Sequence, residues 1–199
     1  MAEPARGPHI PPGLAGHVAI GPVRLLGVPV TALARLNLDE HERRRTLGLG
    51  PVTDPALLDR LLNLPAGLPV ADSAAWTQTA DLPAGIVSRA RDGCTVVRML
   101  DIPLTVDAVV VRARRGRLMR AIQDASLFAG FTRRWASAAG PAGCAARLEA
   151  AVFGVGLLGP DGAVLVTAEP PVRPRPDGWA WLLREKTYRR WLSGTGAAG

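Results

Sequence analysis

Val109, Val110 and Val111 stand side by side at the end of one apolar stretch, Leu104-Thr105-Val106-Asp107-Ala108-Val109-Val110-Val111. Consecutive β-branched side chains are stiff in a helix, and in a strand they point alternately to opposite faces. A strand apolar on both faces must be covered on both, which is the position of a strand inside an α/β sheet. The rest of the chain then has to supply helices for those faces.

It contains them. Leu118, Ile122, Ala125 and Phe128 recur at three- or four-residue spacing and predict a helix over residues 117–131. Asn37 caps an expected helix through Leu38, His41 and Leu47, with Asp39, Glu40 and Glu42 at its start and Arg43, Arg44 and Arg45 toward its end, the order that complements a helix dipole on an exposed surface. Asp54-Pro55 opens a second, with Leu57, Leu58, Leu61, Leu62 and Leu64 as its buried stripe. Trp179 to Leu192 reads as a final amphipathic helix.

Residues 95–100 read as a strand joined to the valine strand by Asp101-Ile102-Pro103. Residues 150–158 and 163–167 read as an antiparallel hairpin around Gly159-Pro160-Asp161-Gly162. The fold class expected is α/β: a mixed sheet with a crossover helix and a C-terminal hairpin, flanked by helices at both ends. Residues 1–17 are expected to be a flexible tail, 18–192 a single domain (helical part 31–64, sheet core 94–168, C-terminal helix 179–192) and 193–199 a second tail. Within that domain, 65–85 form a connection holding Trp76, 138–145 a loop and 170–176 an extended linker.

The net charge of +7 and the pI near 11.0 come almost wholly from arginine, since Lys186 is the one lysine among 24 basic residues. An arginine bias spread along a chain can reflect genome composition, so its clustering is the informative part. Arg112, Arg114, Arg115, Arg117, Arg120, Arg133 and Arg134 face only Asp124 over the same interval. Such an excess suits phosphates or an acidic partner. Near the C-terminus Arg184, Arg189 and Arg190 lie among Trp181, Tyr188 and Trp191, and that mixture can stack on bases and hold phosphates, or anchor a helix by its aromatics with the arginines in water.

Other chemistry finds little support. Cys94 and Cys144 lack CxxC spacing and form no disulfide framework, which fits a reducing, cytoplasmic setting. No apolar run reaches the roughly 18 residues of a membrane span, and the start of the chain lacks the pattern of a signal peptide. His9, His17 and His41 make no ligand set, and no serine sits in GxSxG. Gly154-x-Gly156-x-x-Gly159 matches the dinucleotide fingerprint in letters, but a turn and a strand are expected after it, where the fingerprint needs a helix N-terminus. No resident cofactor and no metal are expected.

Val106 to Val111, a helix carrying Gln123 and Ala125, and Val152-Phe153-Gly154-Val155-Gly156-Leu157-Leu158 with its following strand together resemble the core of restriction-endonuclease-like proteins of the PD-(D/E)xK class, over residues 95–168. The resemblance places Asp107 at the position of that family's metal-binding aspartate. No Glu-x-Lys follows, so it implies a degenerate site that no longer cleaves, with Asp107 as a remnant and Glu149 as a possible second carboxylate on another strand. The function expected is a non-catalytic accessory protein holding nucleic acid through Arg112, Arg114, Arg115, Arg117, Arg120, Arg133, Arg134, Arg184, Arg189 and Arg190. The alternative is a subunit of a multi-protein complex that docks an acidic protein partner.

Overall fold

The computed structural model describes residues 10–11, 13–71, 82, 85–89, 95–172 and 177–195. In chain order the elements are β1 (Val18–Leu25), β2 (Val28–Leu36), α1 (Leu38–Thr46), α2 (Pro55–Leu62), β3 (Pro69–Ala71), β4 (Val87–Arg89), β5 (Thr95–Arg98), β6 (Leu104–Arg112), α3 (Leu118–Ser126), β7 (Arg133–Ser137), α4 (Cys144–Val152), β8 (Gly156–Leu158), β9 (Val164–Val166) and α5 (Gly178–Thr195). The chain divides into two compact units, one of Met1–Arg35, Val106–Arg175 and Arg190–Gly199, the other of Leu36–Thr105 and Pro176–Arg189. Trp76, Cys94 and residues 173–176 of the expected linker lie outside the described residues.

The protein is α/β. The first unit carries a six-stranded mixed sheet in the order β1-β2-β6-β7-β8-β9. β6 pairs parallel with β7 and β7 parallel with β8, so α3 and α4 are both crossover helices. The valine strand sits inside the sheet as its composition demands: Ala108, Val109, Val110 and Val111 are all buried. Ala108 and Val110 pack with Leu14, Leu33, Trp135 and Leu158 in one cluster. Leu14, at 5% exposure, thereby ties the end of the expected N-terminal tail into the core.

Several elements differ from the sequence reading. Residues 31–36, expected to open a helical region, complete β2, and β1 precedes it. Leu26 and Gly27 link them with φ of 52° and 78°, which is the geometry of a primed two-residue hairpin turn. Leucine is an unusual occupant of that position, so no Asn-Gly or Asp-Gly signal announces the hairpin. α3 stops at Ser126. The helical spacing continues to Phe131 because tight turns follow, with Phe128 N–H donating to Ala125 O and Phe131 N–H to Phe128 O. Residues 144–152, of which 144–145 are expected in a loop and 150–152 in a strand, form α4, for which Ala, Arg, Leu and Glu have high propensity. The C-terminal hairpin is therefore short, β8 against β9, turning at Gly159 to Gly162. Gly156 lies in a strand, and the turn leads into β9 and not into a helix, so the fingerprint glycines have no helix N-terminus to serve.

Gly156 has a packing role instead. It is the register partner of Trp135, and a Cβ there would collide with the indole ring. Gly156→Val is expected to destabilise the protein by about 1–3 kcal/mol through overpacking, seen as a lower denaturant midpoint with unchanged slope. An unchanged midpoint would show that the ring can move aside.

The second unit holds α1, α2, most of α5 and a three-stranded sheet, β3-β5-β4. β5 thus belongs to a different sheet from β6, although the two strands are adjacent in sequence. Asn37 and Asp54 cap α1 and α2 as their positions predict. The exposed helix expected from the acidic-then-basic run is only partly so: Glu40 is 4% and Arg44 0% exposed. On α5, Trp181, Leu182 and Tyr188 are buried. Among the described residues no helix is long and apolar enough to cross a membrane.

Candidate functional site

The arginine-dense stretch begins where β6 ends. Strand alternation turns the Arg112 side chain outward while Val111 and Ala113 are buried, and a turn closed by Arg117 N–H to Arg114 O leads into α3. Arg112, Arg114, Arg117 and Arg120 line one recess of about 400 Å³, with Asp124 the single acid on its wall. Arg120 pairs with Asp124 at 3.0 Å, with its own side chain 71% exposed, and a pair so open to water contributes about 0–1 kcal/mol. Arg114 and Arg117 have no ion-pair partner among the described residues. Arg117 is the N-cap residue of α3, yet no side chain caps that terminus and no acid occupies its first turn. The positive end of the helix thus adds to the arginine charge.

The other predicted arginines disperse. Arg115 is exposed on the 114–117 turn, beside the recess residues in sequence but not on its wall. Arg133 is exposed at the start of β7 and lines a different pocket. Arg134 leaves the set: at 2% exposure it lies inside the first unit, donating to Phe153 O at 2.8 Å and Pro170 O at 3.3 Å. Burial holds its pKa below the ordinary arginine value despite the charge of Glu169. Arg184 is half-buried and Arg189 exposed in the second unit, where Arg189 donates to the Thr53 hydroxyl at 3.0 Å. Arg190, exposed in the first unit, donates to Gly21 O at 3.3 Å.

Asp107 lies toward the opposite end of β6, its side chain 31% exposed. Oδ2 accepts from His17 Nε2 at 2.7 Å and from Arg35 Nε at 2.8 Å. Burial pushes its carboxyl up, but the hydrogen bonds and charges of Arg35 and His17 outweigh that and hold it below the usual carboxylate range. Neither partner is a carboxylate, and a guanidinium beside Oδ2 puts positive charge where a divalent cation would have to bind. Glu149 is on α4 and not on a strand, with Gln123 as its partner. Among the described residues no group of three or more His, Cys, Asp or Glu could hold a metal ion. The residues around Asp107 therefore do not fit the metal that the nuclease resemblance implies.

His17 and Arg35 were not anticipated as site residues. His17 falls in what reads as a tail, and Arg35 in what reads as the approach to a helix. The one signal was Asp107 itself: an acid within an apolar strand requires partners, but nothing local names residues 90 and 72 positions away.

No family model, no curated protein and no solved structure matches the chain.

Proposed function

We propose that the protein binds nucleic acid without cleaving it, acting as a cytoplasmic accessory protein whose phosphate contacts come from the recess at the end of β6. The observation that carries this reading is the convergence of Arg112, Arg114, Arg117 and Arg120 on one concave surface beside the uncapped N-terminus of α3. Guanidinium groups match phosphate oxygens in a forked geometry, and free amides at a helix start favour the same anion. The place is also favourable, since ligands of α/β sheets gather beyond the carboxyl ends of parallel strands. The resemblance to restriction-endonuclease-like proteins fits a binding role better than a cleaving one, because Asp107 is occupied by His17 and Arg35.

The test is binding of an arbitrary-sequence DNA duplex and an RNA of equal length, followed by fluorescence anisotropy across a salt series. Four phosphate contacts predict a slope of about −3.6 for log K against log salt on duplex DNA. Absence of binding at about 50 mM salt would sink the nucleic-acid reading and turn attention to an acidic protein as the occupant of the recess.

A further inference from the structure

The pocket over Asp107 is distinct from the arginine recess and has a different chemistry. It is an open recess of about 510 Å³, a volume within the range of small-molecule sites. Phe131 and Pro171, both half-buried, give it an apolar side, while His17, Arg35, Asp107, Thr132 and Arg133 make the greater part of its wall polar.

Those polar groups are organised for binding. His17 has both ring nitrogens placed against acceptors, Nδ1 at 3.0 Å from Leu14 O and Nε2 at 2.7 Å from Asp107 Oδ2. Both nitrogens are thus taken up by protein oxygens, whereas a His–Asp catalytic dyad keeps one nitrogen turned to the substrate. The ring fixes the carboxylate instead. The fixed carboxylate in turn holds Arg35 by Nε alone, and the terminal nitrogens of Arg35 make no other hydrogen bond among the described residues. Arg133, exposed on the same pocket, has no ion-pair partner among the described residues. Thr132 is spent on Val106 O at 3.0 Å. Two guanidinium groups thus border a largely polar recess that holds one carboxylate, and that carboxylate is already shared with His17.

We propose that this pocket binds a small organic anion, with Arg35 and Arg133 holding a single carboxylate or phosphate group and the half-buried Phe131 and Pro171 meeting an apolar or aromatic body. An anion relieves the excess positive charge, and a pre-positioned guanidinium loses little freedom on binding it. This inference is independent of nucleic-acid binding at the arginine recess.

The experiment titrates the full-length protein calorimetrically with phenyl phosphate, benzoate and inorganic phosphate. At least one aromatic anion is expected to bind at sub-millimolar concentration, and at least tenfold more tightly than inorganic phosphate, which has nothing to place on the apolar wall. Arg133→Ala and Arg35→Ala should each weaken that binding at least tenfold, while Arg114→Ala, in the other recess, should leave it unchanged. Arg133 is exposed at the start of its strand, so its variant tests the site even if Arg35→Ala folds poorly. Sub-millimolar binding by neither aromatic anion, an effect of Arg114→Ala equal to that of Arg133→Ala, or equal affinity for inorganic phosphate would overturn the proposal.

Discussion

Arg44→Ala is expected to destabilise the second unit by about 3–5 kcal/mol, the usual cost of removing one partner from a buried ion pair. At ordinary urea slopes this lowers the midpoint by roughly 1–5 M. Arg44 is fully buried, and every nitrogen of its guanidinium is engaged. Nε donates to Glu40 Oε1 at 2.7 Å, NH1 to Glu185 Oε2 at 2.8 Å, and NH2 to Glu185 Oε1 and to Asp101 O, each at 2.8 Å. Glu185 is as buried as Arg44, and it also accepts from Val52 N–H at 3.0 Å and Trp181 Nε1–H at 3.1 Å. The Tyr188 ring lies beneath the guanidinium, 5.3 Å from ring centroid to Cζ. Deleting the cation leaves a buried carboxylate facing only two neutral donors, together with a void.

The loss comes mainly from the stranded charge, so Arg44→Met combined with Glu185→Gln should recover part of it. Val52 and Trp181 donate to different oxygens of Glu185, so the single amide oxygen keeps one of these two bonds, and the methionine fills most of the space. A single Arg44→Ala variant within about 1 kcal/mol of wild type would mean that water or a repacked side chain replaces the guanidinium. Acid sensitivity gives a second measure. Burial pushes the Glu40 carboxyl up, but hydrogen bonds and charges from Arg43 and Arg44 outweigh this and hold it below the usual glutamate range. A depressed carboxyl contributes stability that is complete above its unfolded value and is lost as pH falls through the folded one. Wild type should therefore lose stability on acidification below the ordinary glutamate range more steeply than Arg44→Ala does.

This network also marks what a linear reading can and cannot reach. The acidic start and basic end of α1 are enough to place the helix and its Asn37 cap. They say nothing of Glu185, 141 positions beyond Arg44, which turns a surface pattern into a buried one. Arg134 makes the same point in β7: in sequence it is one more member of an arginine run, whereas in the fold it is paid for by the carbonyls of Phe153 and Pro170. Local signals with a geometric cause survived. The Val109 to Val111 strand, the Asp54-Pro55 helix start and the Gly159 to Gly162 turn are each dictated by the conformations those residues allow. Signals that depend on distant partners did not: Gly21 and Pro22 interrupt the alternation of Val18–Leu25, and pairing with β2 makes it a strand through a shift of register at that point. The arginine recess lies between these cases, since Arg112, Arg114, Arg117 and Arg120 are close in sequence and the strand-to-helix turn brings them to one concave wall.

Converting Arg114, Arg117 and Arg120 together to alanine is expected to give the largest functional effect. Folding should survive: all three side chains are exposed, and the one ion pair lost, Arg120 with Asp124, is on the surface. On a duplex DNA each lost phosphate contact removes about 0.9 from the salt slope, so the triple variant should be flatter by about 2.7. If wild type and variant converge near 1 M salt, where the counterion term vanishes, that slope difference is on the order of a thousandfold in affinity at about 50 mM. Alanine keeps the N-terminus of α3 intact, so residual binding through the helix amides and Arg112 should remain detectable at low salt. An equal fractional loss at every salt concentration would point to a distorted site, because only released counterions make the defect fade as salt rises. An unchanged slope with unchanged affinity would place the phosphate contacts elsewhere on the protein.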